Sequence, residues 1–122
     1  MTIERRNVGP RLSDLVIYAP PPAGRLVYLA GQVAEDRDAG IEDQTRSVLG
    51  QIDKLLAEAS TDKRHILSAT IYLADMKDYA AMNRVWDAWV PQGDTPARAT
   101  VEAKLAHPSY RVEIQIVAAA SS

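Results

Sequence analysis

The sequence predicts an α+β fold: a mixed sheet of about six strands with two helices packed on one face. Apolar residues recur at helical spacing in two segments and alternate with a period of two in the segments around them. The order along the chain is strands, helix, strand, helix and two strands, which is typical of α+β proteins. Because 47% of the 122 residues are apolar and no linker interrupts them, residues 1–122 are expected to form one domain.

Three strands are predicted before the first helix. Residues 2–7 and 14–19 form two of them, and residues 26–33 form a third that contains Gly31. The proline-rich segment 20–24 interrupts regular pairing between them, because proline has no backbone N–H to donate. The pattern favours a hairpin with a stiff loop.

The first helix is predicted from a single apolar stripe and ends near residues 60–62. The stripe consists of Ile41, Val48, Leu49, Ile52, Leu55 and Leu56. Gly50 lies inside this helix, where glycine costs about 1 kcal/mol relative to alanine. We therefore expect Gly50 to pack closely against the sheet.

A strand and a second helix follow. Residues 66–73 alternate strictly, which indicates a strand, and Asp75 is a candidate N-cap for the helix after it. The apolar face of that helix carries Tyr79, Met82, Trp86, Trp89 and Val90. Asn83 falls on the same face.

The last two strands carry the candidate site. In residues 95–101, Pro96 marks the strand start and the alternation puts Arg98 and Thr100 on one face, while residues 111–119 contain Glu113. If these two strands pair, Arg98 and Glu113 share a face. A guanidinium is a fork of donors suited to a carboxylate, and a glutamate beside it can accept a proton from water. The pair is the candidate site.

The sheet face away from the helices is expected to be half polar. It would carry Ser68, Thr70, Arg98, Thr100, Glu113 and Gln115. Such a face is commonly covered by oligomerisation, and clefts between subunits suit small molecules. We therefore expect a homo-oligomer with sites at its interfaces.

Composition excludes several classes of function. A net charge of -2 and a pI near 5.6 provide no broad positive field for nucleic acid. Without cysteine and with two isolated histidines, a disulfide, a thiolate or a protein-built metal site is not expected. Neither a signal peptide nor a membrane-spanning stretch is recognised, so a cytoplasmic protein without membrane partners is expected.

Each candidate residue also has a structural interpretation. Arg98 and Glu113 fit a structural ion pair as well as a site. Asn83 fits a buried amide that fixes a loop. Gly31 marks either a bulge or a close backbone approach, and such an approach could also admit a ligand.

Five short motifs together resemble the RidA/YjgF family, the reactive intermediate deaminases. They are residues 29–32 (LAGQ), 44–45 (QT), 81–83 (AMN), 96–98 (PAR) and 112–114 (VEI), in the order and spacing of that family. Residues 83–90 (NRVWDAWV) and the long ending at 111–119 look closest to the YoaB-like branch.

The resemblance implies a chorismate-mutase-like homotrimer that hydrolyses 2-imino or enamino acids to 2-oxo acids and ammonia without a cofactor. Carried over by position, Arg98 would bind the substrate carboxylate and Glu113 would orient or deprotonate water. Backbone groups of Gly31 and Thr100 would hold the reacting end, with Asn83 supporting the cleft. An imine carbon is already electrophilic, so holding the carboxylate and one water in line is expected to suffice.

This chain departs from the deaminating archetype in the pocket lining. Ala30 stands where the archetype has serine, Arg11 where it has tyrosine, Thr100 where it has cysteine and Gln115 where it has glutamate. We hypothesise that Arg11 enters the cleft from a neighbouring subunit as a second positive centre, which would favour a ligand with a second carboxylate or an anionic tail.

Three functions are compatible with these residues. The leading one is an imine deaminase, and the second is a trimer that binds or senses 2-oxo acids without turnover. The third is the ribonuclease or translation-inhibitor activity attached to the family, for which the sequence offers no basic groove, aromatic stacking platform or catalytic histidine pair.

Overall fold

The computed structural model describes residues 2–121, which contain six strands and two helices. In chain order these are β1 (Thr2–Val8), β2 (Ser13–Ala19), β3 (Arg25–Tyr28), α1 (Ile41–Glu58), β4 (Ile66–Leu73), α2 (Tyr79–Trp89), β5 (Ala97–Glu102) and β6 (Val112–Ala120). Short 3-10 turns, Lys63–His65 and Met76–Asp78, precede β4 and α2. The predicted α+β class and the order of its elements are confirmed.

The main sheet has the strand order β3-β6-β4-β5, in which β4 and β5 are parallel and the other pairs are antiparallel. The expectation that the last two strands pair is therefore wrong, because β4 lies between them. Strand β5 runs parallel to β4 with Ala69 opposite Arg98, and β6 runs antiparallel to β4 with Tyr72 opposite Glu113.

The hairpin of β1 and β2 forms a separate two-stranded sheet, so the predicted six strands divide into four and two. Only the start of β2 reaches the main sheet, where the Ser13 N–H donates to the Pro96 carbonyl at 2.9 Å. Because Pro96 has no N–H, it cannot return a hydrogen bond to β2.

Both helices cover one face of the main sheet, as predicted, and the core lies between them. It is built from Val48, Leu49, Ile52 and Leu56 of α1, Met82 and Trp86 of α2, Ala69, Ile71 and Leu73 of β4, and Val112, Ile114 and Ile116 of β6. Side chains of a strand alternate between faces, so these odd positions of β4 define the inward face.

Gly50 does not pack against the sheet as predicted. It is exposed, and a Cβ added to it would meet no heavy atom within 4 Å. It faces a groove on the outer side of α1 and α2, beside Val85 and Trp89. The apolar stripe of α1 lies on the other side of the helix, and Gly50 faces solvent.

Asp75 caps the chain just before α2. Its side chain accepts a hydrogen bond from the Lys77 N–H in the 3-10 turn Met76–Asp78, and α2 begins at Tyr79 directly after that turn. The predicted cap thus starts the helical segment one turn earlier than α2 itself.

Gln44 fixes the turn that leads into β6. It is fully buried, its amide group donates to the carbonyls of Arg37 (3.1 Å), Ala39 (3.0 Å) and Ser109 (3.0 Å), and its Oε1 accepts from the Arg111 N–H at 2.9 Å. A buried amide with all its partners is strongly position-specific. One side chain of α1 therefore holds two otherwise separate loops.

The same turn is held by an ion pair. The Arg111 guanidinium donates to both oxygens of Asp78, at 3.1 and 2.8 Å, and only 8% of the Asp78 side chain is exposed. Together with Gln44, this pair sets the position at which β6 enters the sheet.

The sheet face away from the helices carries exposed apolar side chains. Tyr28 is 71% exposed, Leu26 50% and Val101 43%. The pairing register places Ser68, Thr70, Glu113 and Gln115 on this open face, as predicted. None of the helices in residues 2–121 combines the length and the apolar character needed to cross a bilayer.

Candidate functional site

Arg98 lies on the helix-covered face of the sheet, not on the open face predicted for it. Its partner in β4 is Ala69, and the partner of Thr100 is Ile71, both of which point toward the helices. Strand β5 is the last strand of the sheet, so its inward positions lie at the margin of the apolar core. Polar side chains can occupy that margin.

The Arg98 side chain is held by α2. Its Nη1 donates to Asn83 Oδ1 at 2.8 Å, and its Nη2 approaches the Tyr79 hydroxyl at 3.5 Å. The guanidinium carbon lies 5.3 Å from the centre of the Trp86 ring, a distance at which a cation is attracted to the ring face. The predicted position of Asn83 on the inner face of α2 is confirmed, and its side chain is buried.

Arg98 has no carboxylate partner within residues 2–121. Its Nε is buried without a hydrogen-bond partner, and so is the Thr100 hydroxyl two residues along the same face. Unpartnered buried donors are costly, and a bound anion would satisfy them. The structural interpretation, an ion pair between Arg98 and Glu113 of the same chain, does not apply.

Burial and neighbouring charges set the protonation of this group. Burial lowers the pKa of Arg98 from its usual value, Tyr79 opposes that effect and the charge of Arg11 adds to it. A hydrogen bond with Asn83 lowers the pKa of the Tyr79 phenol, helped by the charges of Arg98 and Arg11. An arginine pKa starts so high that Arg98 remains charged.

Arg11 of the same chain lies in this cluster, so the cluster does not need an arginine from a neighbouring subunit. Its Nε and Nη2 donate to the two carboxylate oxygens of Asp87 in the same chain, at 2.8 and 2.7 Å. Its backbone carbonyl accepts from Trp86 Nε1 at 2.9 Å. This hydrogen bonding lowers the pKa of Asp87 and raises that of Arg11.

We call Arg98, Arg11, Tyr79, Asn83 and Asp87 the arginine cluster. Two members are not among the predicted site residues: Tyr79, predicted on the apolar face of α2, is 39% exposed, and Asp87 has no predicted role. A signal was present, because Tyr79, Asn83 and Asp87 recur every four residues and so lie on one side of α2.

Glu113 lies on the opposite side of the sheet, in a cleft of the open face. We call this the Glu113 cleft; it is lined by Glu113, Gly31, Tyr72, Lys104 and Gln115. No hydrogen bond or ion pair within residues 2–121 occupies the Glu113 carboxylate. That carboxylate is free to accept a proton or to orient a water molecule.

Gly31 belongs to a bulge that opens the cleft. The Leu29 N–H bonds to the Ile116 carbonyl and the Gln32 N–H to the Ile114 carbonyl, so Ala30 and Gly31 together oppose the single residue Gln115. This two-against-one pairing is a β-bulge, and it ends the predicted strand 26–33 at residue 28.

The bulge also brings the backbone of Gly31 against Glu113. A Cβ on Gly31 would overlap Oε2 of Glu113 and lie 2.9 Å from its Cδ. Both meanings considered for this glycine, a bulge and a close approach, therefore hold. The carboxylate rests against bare backbone, and a larger residue would displace it.

The two regions offer complementary chemistry. The arginine cluster can bind a carboxylate, and the Glu113 cleft can move a proton, but the sheet separates them in one chain. Within residues 2–121, no group of three or more histidine, aspartate and glutamate side chains is placed to hold a metal ion.

The fold is a small α+β domain with an arginine at a sheet edge that has no carboxylate partner within residues 2–121 and a glutamate on the open face. The chain belongs to the RidA/YjgF family, since the family model described as Endoribonuclease L-PSP matches residues 11–120. The predicted family is thus confirmed.

Individual relatives agree with this assignment. The RutC family protein YoaB of Escherichia coli is 48% identical over 119 residues, which span 98% of this chain and 99% of that protein. The crystal structure of a YjgF family member from Neisseria meningitidis superimposes with a TM-score of 0.77 at 49% identity, covering 100% of this chain and 98% of that one. A mouse protein named 2-iminobutanoate/2-iminopropanoate deaminase is 29% identical over 100 residues, which span 77% of this chain and 73% of that protein.

Proposed function

We propose that this chain forms a homotrimer whose interfacial clefts hydrolyse 2-imino acids to 2-oxo acids and ammonia. The observation that carries the proposal is the Arg98 guanidinium, which is fixed by Asn83 yet has no carboxylate partner within residues 2–121. Such a group is suited to a substrate carboxylate. The name of the mouse relative supports the choice of an imine as the reacting group.

The placement of the two key residues is the reason for proposing an assembly. Arg98 and Glu113 lie on opposite faces of one sheet, so a small substrate can meet both only if the Glu113 face of one copy meets the β5 edge of another. The exposed apolar residues Leu26, Tyr28 and Val101 supply surface that such a contact would bury. A heterologous contact of this kind forms a ring when the rotation between copies closes, and the assembly proposed here is a ring of three.

The proposed roles follow from position. Arg98 binds the substrate carboxylate through its planar fork, and Asn83 holds that fork in place. Thr100 offers its unpartnered hydroxyl and its backbone beside the carboxylate. Glu113 of the adjacent copy faces the imine carbon, and its carboxylate rests against the bare backbone of Gly31.

The reaction needs one water and no net oxidation or reduction. Glu113 takes a proton from water as the water oxygen bonds to the imine carbon, and the protonated Glu113 then returns that proton to the nitrogen. This step gives an amino alcohol, whose hydroxyl proton then passes through Glu113 to the same nitrogen, so the carbon–nitrogen bond breaks, ammonia leaves and the carbon becomes a ketone. Substrate and water held in line replace a bimolecular encounter, which lowers the barrier.

Replacing Arg98 tests the anchor. Arg98→Ala should abolish acceleration of 2-iminopropanoate hydrolysis, measured as 2-oxo acid formed by coupled reduction, while the oligomer stays intact by light scattering. Arg98→Lys keeps the charge but loses the fork, so its KM should rise at least about tenfold. The matched control is Arg84→Ala, which removes an exposed arginine paired with Glu42 on the outer side of α2. An unchanged rate in Arg98→Ala would remove Arg98 from the mechanism.

Mixing two inactive variants tests the composite site. Arg98→Ala and Glu113→Gln subunits, denatured together and refolded in equal amounts, should regain about a quarter of wild-type activity, because that share of interfaces joins an intact Arg98 to an intact Glu113. Each variant alone should stay inactive. If both residues serve from the same chain, mixing would restore nothing.

The second candidate is a trimer that binds 2-oxo acids without turnover. It is favoured by the separation of the arginine cluster from the Glu113 cleft, since the cluster contains all the groups needed to hold a carboxylate. Calorimetry with 2-oxobutanoate separates the two functions. Binding that depends on Arg98, together with no effect of the protein on 2-iminopropanoate hydrolysis, would select the binding protein.

A further inference from the structure

Two like charges lie close together in the arginine cluster. Arg11 and Arg98 both approach the side chain of Tyr79. Like charges at short range repel, and a second guanidinium beside an anion site would attract a second carboxylate. The number of these charges that can bind a ligand therefore depends on which side chains pair with the two arginines.

Asp87 pairs with one of the two arginines, Arg11. Its two oxygens receive Nε and Nη2 of Arg11 at 2.8 and 2.7 Å, the forked geometry that a ligand carboxylate would otherwise use. Asp87 therefore occupies the binding fork of Arg11 and cancels its charge. Arg98, whose Nε has no partner, keeps the single uncompensated charge of the cluster.

We propose that Asp87 sets the charge class of the ligand and restricts the site to 2-imino and 2-oxo acids with one carboxylate. A ligand with a second carboxylate would meet an Arg11 that is already occupied and an Asp87 that repels it. This inference rests on the proposed carboxylate site at Arg98. It replaces the hypothesis that Arg11 favours dicarboxylates, because the partner of Arg11 lies in its own chain.

The test is a double-substitution cycle read by calorimetry. The probes are 2-oxopentanoate and 2-oxopentanedioate, which have the same number of carbons and differ in the second carboxylate. Asp87→Asn frees Arg11 and should raise the affinity for the dicarboxylate relative to the monocarboxylate by about fivefold, as for one partly exposed charge pair. That gain should shrink in 0.5 M salt, roughly three times the physiological strength, because solvent ions screen it.

The other members of the cycle separate charge from structure. Arg11→Gln leaves Asp87 free to pair with Arg98, so binding of both probes should weaken. Combining Arg11→Gln with Asp87→Asn leaves Arg98 as the one charge and should return the selectivity to within about twofold of wild type. If the pair had a purely structural role, the combined variant would instead bind both probes most weakly.

Glu42→Gln is the matched control, since it changes the net charge equally and removes a carboxylate from the Arg84 pair on the outer side of α2. It should leave the selectivity unchanged. Selectivity that stays at the wild-type value in Asp87→Asn, while binding still requires Arg98, would overturn this inference alone. Binding that persists in Arg98→Ala would instead overturn the proposed function.

Discussion

Substituting Gly31 by alanine tests the link between the bulge and the reacting carboxylate. The added Cβ would overlap Oε2 of Glu113 and lie 2.9 Å from Cδ and 3.2 Å from Cγ, so the Glu113 side chain must rotate away. Gly31 is exposed and its backbone does not need a left-handed conformation, so stability should change by less than about 1 kcal/mol. The carboxylate, however, would move by about the length of a bond.

A catalytic group displaced by about 1 Å loses on the order of 100-fold in rate. In Gly31→Ala we therefore expect kcat for 2-iminopropanoate to fall by about that factor, while KM stays within about twofold because Arg98 still binds the carboxylate. The assay is steady-state hydrolysis with the melting temperature measured in parallel. A kcat within about twofold of wild type would refute the argument that Gly31 positions Glu113.

The chain offers a matched control in the other direction. A Cβ at Gly50 meets nothing within 4 Å, and the residue lies inside α1. Gly50→Ala should therefore stabilise the protein by about 0.5–1 kcal/mol, or about 4 °C in melting temperature, with unchanged kcat. Comparing the glycine-to-alanine substitutions at positions 31 and 50 thus separates the effect of packing at the cleft from the effect of helix propensity.

Three further predictions concern stability and assembly. Gln44→Ala should lower the free energy of unfolding by about 3 kcal/mol, because it leaves four backbone groups around a buried position without partners. The measurement is urea denaturation, and a loss below about 1 kcal/mol would contradict this reasoning. Arg11 holds the pKa of Asp87 below its usual 3.8, so this pair stabilises the fold fully above about pH 4 and loses its effect as the pH falls through the pKa of the folded state. The melting temperature of Asp87→Asn should therefore drop less than that of wild type between about pH 5 and 2. Equal drops would contradict a stabilising role of the pair. Val101→Asp places a charge on the open face, where Val101 is 43% exposed, and should shift the oligomer toward monomer in light scattering; an unaltered mass would show that this face is not the interface.

The secondary structure could be predicted closely because it depends on local patterns. The alternation in residues 66–73 predicts β4 with the same bounds as the structure, and the apolar stripe from Ile41 to Leu56 identifies most of α1. The strand containing Gly31 ends early because the bulge depends on how β3 meets β6, which no local pattern records.

The face occupied by Arg98 could not be predicted from alternation alone. A period of two separates Arg98 and Thr100 from Ala97 and Ala99, but it does not state which set points inward. The apolar set would ordinarily be inside, yet Arg98 faces inward because β5 is the edge strand and meets α2 where Asn83 and Tyr79 lie. The strand order determines which face Arg98 occupies, and strand order depends on tertiary packing.

The anchoring by Gln44 bears on how freely the neighbouring loop can vary. Gln44 binds Ser109 and Arg111 directly, and Asp78 binds Arg111 again, just before Glu113 enters the sheet. Insertions or deletions within residues 103–108 would thus be absorbed ahead of this double attachment without shifting Glu113 along its strand. That stretch is the natural place for homologues to differ in length and for engineers to reshape the mouth of the cleft.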